Sequence, residues 1–361
     1  TGTFRWNHLF SEKLFSNTTF IASQFDYGLE LEDEALGFRW TSVINELSIK
    51  QHFNWFITPK NELDFGYNLT YRRFQPGNLQ PNVESSIFDG VELEKLYALD
   101  HALYIGNKQV VSDKLTMEYG LRLSIFQNVG PGDVKIYADP QDNIRPEVVR
   151  VDSYNSLEPI ITYYNWEPRF SARYLLNDVS SVKFSYNRMA QNVHLISSGT
   201  VPLPFNTWNP SSIYLEPQLA DQIAAGYFRN LKENAYEMSF EGFYKHMQHV
   251  TDFADNANIF FNDDIATEFR QGDSEAYGFE FQVKKNVGKL TGFINYTWSK
   301  TVRTVPGVNL GEPFPSNYDR RNAFNLLASY KLSERWDFTS TFTYSTGRPI
   351  TLPTGQYQYQ Y

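Results

Sequence analysis

The stretch "AYGFEFQVKKNVGKLTGFINYTWSK", residues 276–300, alternates apolar and polar side chains twice, on either side of a short polar turn. In its first half Tyr277, Phe279, Phe281 and Val283 alternate with Gly278, Glu280, Gln282 and Lys284. In its second, Leu290, Gly292, Ile294, Tyr296 and Trp298 alternate with Thr291, Asn295, Thr297 and Ser299. A period of two is that of a β-strand with one apolar and one polar face; a helix would repeat every 3.6 residues. The question it leaves is which face is the inside.

The rhythm recurs along the chain and predicts about fourteen strands. Their spans are 2–10, 14–31, 38–56, 62–75, 94–107, 114–127, 164–175, 180–193, 218–230, 235–250, 274–286, 289–302, 319–332 and 335–348. Short polar turns join alternate pairs: Ser11-Glu12-Lys13, Pro59-Lys60-Asn61, residues 107–114, Asn177-Asp178, Lys232-Glu233-Asn234, Asn286-Val287-Gly288 and Ser333-Glu334. Long segments rich in Pro, Gly, Asn and Asp join the others, at 75–93, 128–160, 194–216, 250–273 and 303–318. Helical periodicity with caps is absent, and no domain boundary interrupts the pattern.

Composition decides the face. Aromatics make up 17% of the 361 residues, yet the mean hydropathy is -0.46 and no apolar run reaches ten residues. Such a chain has no transmembrane helix; it fits a barrel with a greasy outside and a wet inside. Strands of a dozen residues exceed the usual globular length and match what a tilted bilayer crossing needs. Short turns at one end with long loops at the other is the asymmetry of outer-membrane barrels. A soluble sheet with one solvated face also alternates, but a sheet of this many strands would split or curl. The apolar set therefore faces lipid, and Glu280, Gln282 and Lys284 face a lumen. Tyr236, Met238, Phe240, Gly242 and Tyr244 share the outward set, against Glu237, Ser239, Glu241 and Lys245. The fold class expected is all-β, a transmembrane antiparallel β-barrel.

The net charge of -9 argues against nucleic acid as a partner. The absence of cysteine excludes disulfide scaffolds and thiol chemistry. The opening "TGTFRWNHLF" has neither the basic start nor the apolar core of a signal peptide, and it begins within a strand, as a fragment would.

The strings "YGFEFQVKKNVGKLTGFINYTWSKT", "VNLGEPFPSNYDRRNAFNLLASYKL", "RWDFTSTFTYSTGRPITLPTG" and "VPLPFNTWNPSSIYLEPQLADQIAAGYFRN" resemble the late barrel of TonB-dependent receptors of the Bacteroidetes group. The resemblance is carried by residues 160–361, and by rhythm alone before them. It implies a Gram-negative outer-membrane location, a barrel of 22 strands around a plug, and active uptake driven by the TonB-ExbB-ExbD complex. By parity the strands here would be the sixth to the nineteenth. The whole chain, 1–361, would then be a partial barrel domain, with the plug and the TonB-binding segment lying outside this sequence. Lipopolysaccharide would surround it, and a surface lipoprotein stays open as a partner. The ligand would be a siderophore, peptide, vitamin or oligosaccharide.

No catalytic constellation and no cofactor site is read from the sequence. His246 and His249 point to opposite faces of a strand and could chelate a metal only if the chain curls there. The loop 250–273 carries Asp252, Asp255, Asp263, Asp264, Glu268 and Asp273, dense enough for calcium or a cationic ligand but equally ordinary for a solvated loop; "DPQDN", 139–143, is similar. His194 with Ser197 or Ser198 does not make a hydrolase pair. The ligand-binding candidates are Phe205, Trp208 and Tyr214 in one proline-stiffened loop, and Arg320, Arg321 and Arg348 at the outer rim. The aromatics either offer stacking area to a ligand or pack on neighbouring loops. The arginines either grip an anion or pair with carboxylates or lipid phosphates. Glu237, Glu241, Glu280, Lys245 and Lys284 would form polar ladders in the lumen. A passive porin of about 14 strands, or a barrel subunit of a larger outer-membrane assembly, would read similarly.

Overall fold

The computed structural model describes residues 1–33, 37–82, 90–140, 147–196, 207–255, 257, 262 and 264–350. Alternating Val, Ile, Tyr, Phe, Trp and Thr suit a pleated surface, and every expected segment forms a long strand. They are β1 Gly2–Ser11, β2 Leu14–Leu31, β3 Phe38–Thr58, β4 Asn61–Pro81, β5 Leu96–Val110, β6 Leu115–Val129, β7 Pro159–Asn177, β8 Ser180–Gln191, β9 Gln218–Leu231, β10 Tyr236–Phe253, β11 Phe269–Lys285, β12 Leu290–Thr304, β13 Asn322–Lys331 and β14 Asp337–Ser345. Each pairs antiparallel with its chain neighbours, in one sheet ordered β1 to β14. Among the described residues no pairing joins β1 to β14, and both end strands are exposed throughout.

Several bounds differ from expectation, among them the start of β11, at Phe269 rather than 274. The turn between β5 and β6 is shorter than 107–114, because Asn107–Val110 keep pairing with β4 and β6. β7 starts at Pro159 rather than 164, pairing with Val129. β4 runs past Pro76-Gly77 to Pro81, where the sequence reads as loop. β4 itself bulges there: Pro76 and Gly77 stand opposite the single residue Ser42 of β3, whose hydroxyl donates to the Pro76 carbonyl at 2.6 Å. The bulge absorbs the N–H that proline lacks. The Trp40 ring occupies the space that a Cβ on Gly77 would need, so glycine is required at this crossing.

Register lays the side chains out in rows. On one face Val182, Tyr227, Phe240, Phe281, Tyr296, Phe324 and Tyr344 are direct neighbours across seven strands. This face is bare: Phe240 is 51% and Phe342 54% exposed. The opposite face carries the polar set and receives the long loops. There Glu237 sits 3.9 Å from Lys284. Arg72 bridges Glu46 at 2.8 Å and Asp100 at 3.3 Å. Arg122 and Arg169 flank Glu167. Of the five residues expected to form a polar ladder, the structure pairs Glu237 with Lys284.

Two long segments add two-residue strands to the sheet, Val91–Glu92 on β4 and Phe314–Pro315 on β12, and two others hold hairpins that the sequence does not announce. Gly132–Tyr137 pairs with Val148–Tyr154, and Val193–Ile196 with Thr207–Pro210, each as a separate antiparallel hairpin.

Candidate functional site

The hairpin Val193–Ile196/Thr207–Pro210 leaves the end of β8 and folds back over the covered face. Its second arm packs on β4 and β5, its first on β10. Under it lies the tightest apolar packing of the wall: Phe74 on β4, Ala98 on β5 and Phe126 on β6, all 0–1% exposed, with Val193 and Trp208 closing the cluster. The first arm adds a second cluster, Ile196 with Leu215 and Phe269. His194, 3% exposed, has no charged partner among the described residues; its Nε2 meets Ser211 Oγ at 3.0 Å. Burial alone pushes its pKa down to about 4. A neutral imidazole is thus sealed beneath the hairpin, and the partner it finds among the described residues is Ser211; Ser197 and Ser198 lie outside them.

Three loops are stitched together at the same end. Lys135, in the hairpin between β6 and β7, is 2.6 Å from Asp264, which lies between β10 and β11. Tyr137 Oη donates to the same carboxylate oxygen at 2.7 Å. Burial opposes ionisation of Asp264, but the bonds from Lys135 and Tyr137 and the ammonium charge outweigh it and hold the carboxyl below its usual range. Tyr214 ties in the third loop: its Oη accepts from the Tyr137 N–H at 3.1 Å and donates to the Lys135 carbonyl at 3.2 Å. Tyr163 on β7 donates to the Ser212 carbonyl at 2.7 Å. Between these loops is a cavity of about 430 Å3, lined among others by Tyr97, Lys135, Tyr137, Asn209, Tyr214 and Phe269. Its size suits a small-molecule ligand.

The sequence candidates fall in two places. Trp208 packs on the wall cluster, and Tyr214 lines the cavity with its hydroxyl engaged; Phe205 lies outside the described residues. Arg320 and Arg321 stand where β13 begins. Arg348 follows Thr346, which bonds to Asn322 and keeps it beside them. Arg321 is paired with Asp319 at 3.1 Å. The arginine group and the aromatic group thus belong to different parts of the strand order, and of the five described candidates the cavity recruits Tyr214 alone. What the sequence does not signal is the Lys135–Asp264 pair, whose members are 129 residues apart.

The other candidates disperse. The strand does bulge between Met247 and Val250, but it turns His249 to the Pro217 carbonyl at 3.0 Å and to Glu216 at 3.4 Å, away from His246. The acidic loop is divided among partners: Asp252 with Arg303 at 3.1 Å, Asp255 with the Asn309 N–H at 3.2 Å, and Asp264 with Lys135. Among the described residues no group of three His, Asp or Glu could hold a metal ion. Residues 141–143 of "DPQDN" and Asp263 lie outside them.

Comparison with known proteins converges on one architecture. Residues 1–360 match the family model "TonB dependent receptor-like, beta-barrel". Among solved structures, the chain is similar to the pyoverdine outer membrane receptor FpvA from Pseudomonas aeruginosa PAO1, at 14% identity and a TM-score of 0.60, over 91% of this chain and 47% of that one. It is similar to the ferric-catecholate import receptor Fiu from K12 E. coli, at 14% identity and a TM-score of 0.58, over 94% and 52%. The siderophore receptor PiuA from Acinetobacter baumannii gives 13% identity and a TM-score of 0.61, over 95% and 54%. No curated protein matches. The chain spans about half the length of these structures, and at such identity they report the fold alone. The family model spans nearly every residue, and the fourteen-strand antiparallel sheet agrees with it: this chain belongs to the TonB-dependent receptor β-barrel family.

Proposed function

We propose that the chain is the barrel wall and outer mouth of a TonB-dependent transporter of the Gram-negative outer membrane, taking up a nutrient too large or too scarce for porins. The observation that carries the reading is the layering of the bare face. Apolar rows run across β8 to β14. Toward the loop end they give way to the row Tyr186, Ile223, Tyr244, Tyr277 and Lys300, and then to Arg188, Asp221, His246 and Glu275, again direct neighbours on successive strands. Tyr186 and Tyr244 donate up to the charged row, to Asp221 at 2.7 Å and Glu275 at 2.9 Å. Apolar band, aromatic girdle, charged rim is the order a bilayer imposes on a barrel. The loop end would face outward and the short turns the periplasm.

Ligand capture would fall to the stitched loops and the 430 Å3 cavity, with Trp208, Tyr214 and the rim arginines Arg320, Arg321 and Arg348 as contacts along with Phe205. The unpaired edges of β1 and β14 support a barrel completed by further strands around a plug, to the 22 of the family. They weigh against a porin closed by these strands alone. Coupling to TonB-ExbB-ExbD would act through that plug, and no chemical bond is made or broken. The Bacteroidetes type rests on the late-barrel strings; siderophore, peptide, vitamin and oligosaccharide remain the ligand classes, and a surface lipoprotein a further partner.

The test is the intact mass of the native polypeptide extracted from outer membranes, with uptake measured in cells lacking TonB. A mass about double the 42.0 kDa of this chain and uptake lost without TonB support the reading. A mass near 42.0 kDa with uptake unchanged would replace it with the passive porin.

A further inference from the structure

The bare face is not uniformly convex. Over β3 to β7 it carries a groove of about 530 Å3, walled by Phe53 and Phe65 on one side and Trp166 on the other. Its floor is aliphatic, Leu103 on β5 and Leu121 and Leu123 on β6. The shape follows from residue size: tall aromatic rings at β3, β4 and β7 flank two strands whose outward residues are branched aliphatics. Phe53 and Phe65 stack at 5.1 Å and 13°, which holds that wall upright, and Trp166 is 57% exposed.

Above the groove, toward the loop end, the face turns polar by steps. Tyr67 Oη and His101 Nδ1 are 2.7 Å apart, so both groups are partnered within the face. Next come Tyr71 and Tyr97, stacked at 6.5 Å and 19°. Beside Tyr97 in register stands Arg73, exposed and in no ion pair among the described residues. From Leu103 to Tyr97 is six residues of β5, about 20 Å of strand at about 3.3 Å per residue. At a tilt of about 40° that is about 15 Å of depth, the thickness of one hydrocarbon leaflet. A cation at the headgroup level and an apolar groove one leaflet below it, on a single face, match the two ends of one lipid.

We propose that this face holds a specific lipid of the outer leaflet, its phosphate on Arg73 and an acyl chain in the groove between Phe53, Phe65 and Trp166. The inference rests on the bare face lying in a bilayer, as proposed above. An unpaired guanidinium at a membrane surface is complementary to phosphate and cannot be satisfied by a neutral headgroup. The aromatic walls bury a chain on three sides where the rest of the face offers contact on one.

Native mass spectrometry of the detergent-solubilised full polypeptide tests it, with dioleoyl phosphatidic acid as the probe and dioleoyl glycerol as its uncharged counterpart. The expected result is one retained phosphatidic acid per chain, retained roughly tenfold better than the diacylglycerol. Arg73→Ala should abolish that preference, and Leu121→Trp, which fills the groove floor, should lower retention of both. Both substitutions sit on the outward surface, and heat-modifiable electrophoretic migration shows whether each variant is folded. Equal retention by folded wild type and folded variants would overturn the proposal, as would a dimer mass that falls on Leu121→Trp, which would give the groove to a second copy. Flotation of the protein with liposomes separates the two levels. A chain that floats but retains no lipid refutes only this inference, and one that never enters a bilayer refutes the functional reading beneath it.

Discussion

Acidification is expected to unseat the hairpin at 193–210 well before it touches the wall. His194 is buried under that hairpin with a pKa pushed down to about 4, against an ordinary value of 6.5. At pH 7 the imidazole is neutral whether the hairpin is seated or released, so the seated form carries no penalty. Below pH 6.5 the released form takes up a proton that the seated form refuses until about pH 4. Seating therefore weakens by about 1.4 kcal/mol per pH unit across that window, and by about 3 kcal/mol in all. At pH 5 the opening equilibrium should have risen about 30-fold. Hydrogen exchange read by mass spectrometry, corrected for the intrinsic rate, measures this directly in the segments 193–196 and 208–216, with β10 and β11 as an internal reference. His194→Gln keeps the bond to Ser211 and removes the titration, so its corrected profile should be flat. The Glu216–His249 pair nearby is untouched by the substitution, so wild type and variant differ only at His194. Protection of the hairpin that stays constant from pH 7.5 to 4.5 would refute the reasoning, and so would a slope unchanged in His194→Gln.

Gly77→Ala should force Trp40 out of its buried site and destabilise the loop end of β3 and β4 by about 1–3 kcal/mol, read as a lowered temperature for loss of heat-modifiable migration. Arg72→Leu leaves Glu46 and Asp100 facing each other without their shared cation, a loss of about 2 kcal/mol given their partial exposure; Glu46→Gln in the same background should recover part of it. Tyr214→Phe removes the acceptor for the Tyr137 N–H and loosens the stitched loops by about 1 kcal/mol. Exchange should then quicken in residues 132–137 while the wall stays unchanged.

How far the sequence is legible depends on where each signal resides. Alternation is a local property of each strand, so all fourteen staves and the outward set from Tyr236 to Tyr244 can be read directly. Pro76-Gly77 misleads because part of its remedy, the Ser42 hydroxyl opposite the bulge, sits on another strand. The 193–210 hairpin is hidden because its turn residues look like any loop and its burial depends on Phe74, Ala98 and Phe126, which lie several strands upstream. His194 has no nearby clue to Ser211, 17 residues on. Of the candidate ligand residues, Tyr214 reaches the cavity, while Trp208 is taken by packing and the arginines stand apart at β13 and β14.

Each stave takes its stave partners from its neighbours in the chain, while the mouth is held by pairs such as Lys135 and Asp264, 129 residues apart. The two layers are therefore free to change at different rates in evolution. A loop can lengthen or be exchanged without shifting the register between staves, since the only loop-to-stave strand pairings among the described residues are the two-residue ones of Val91–Glu92 with β4 and Phe314–Pro315 with β12. A new ligand specificity could arise by recombining loop segments on an inherited wall, with the stitching residues, rather than the staves, as the points that must be renegotiated.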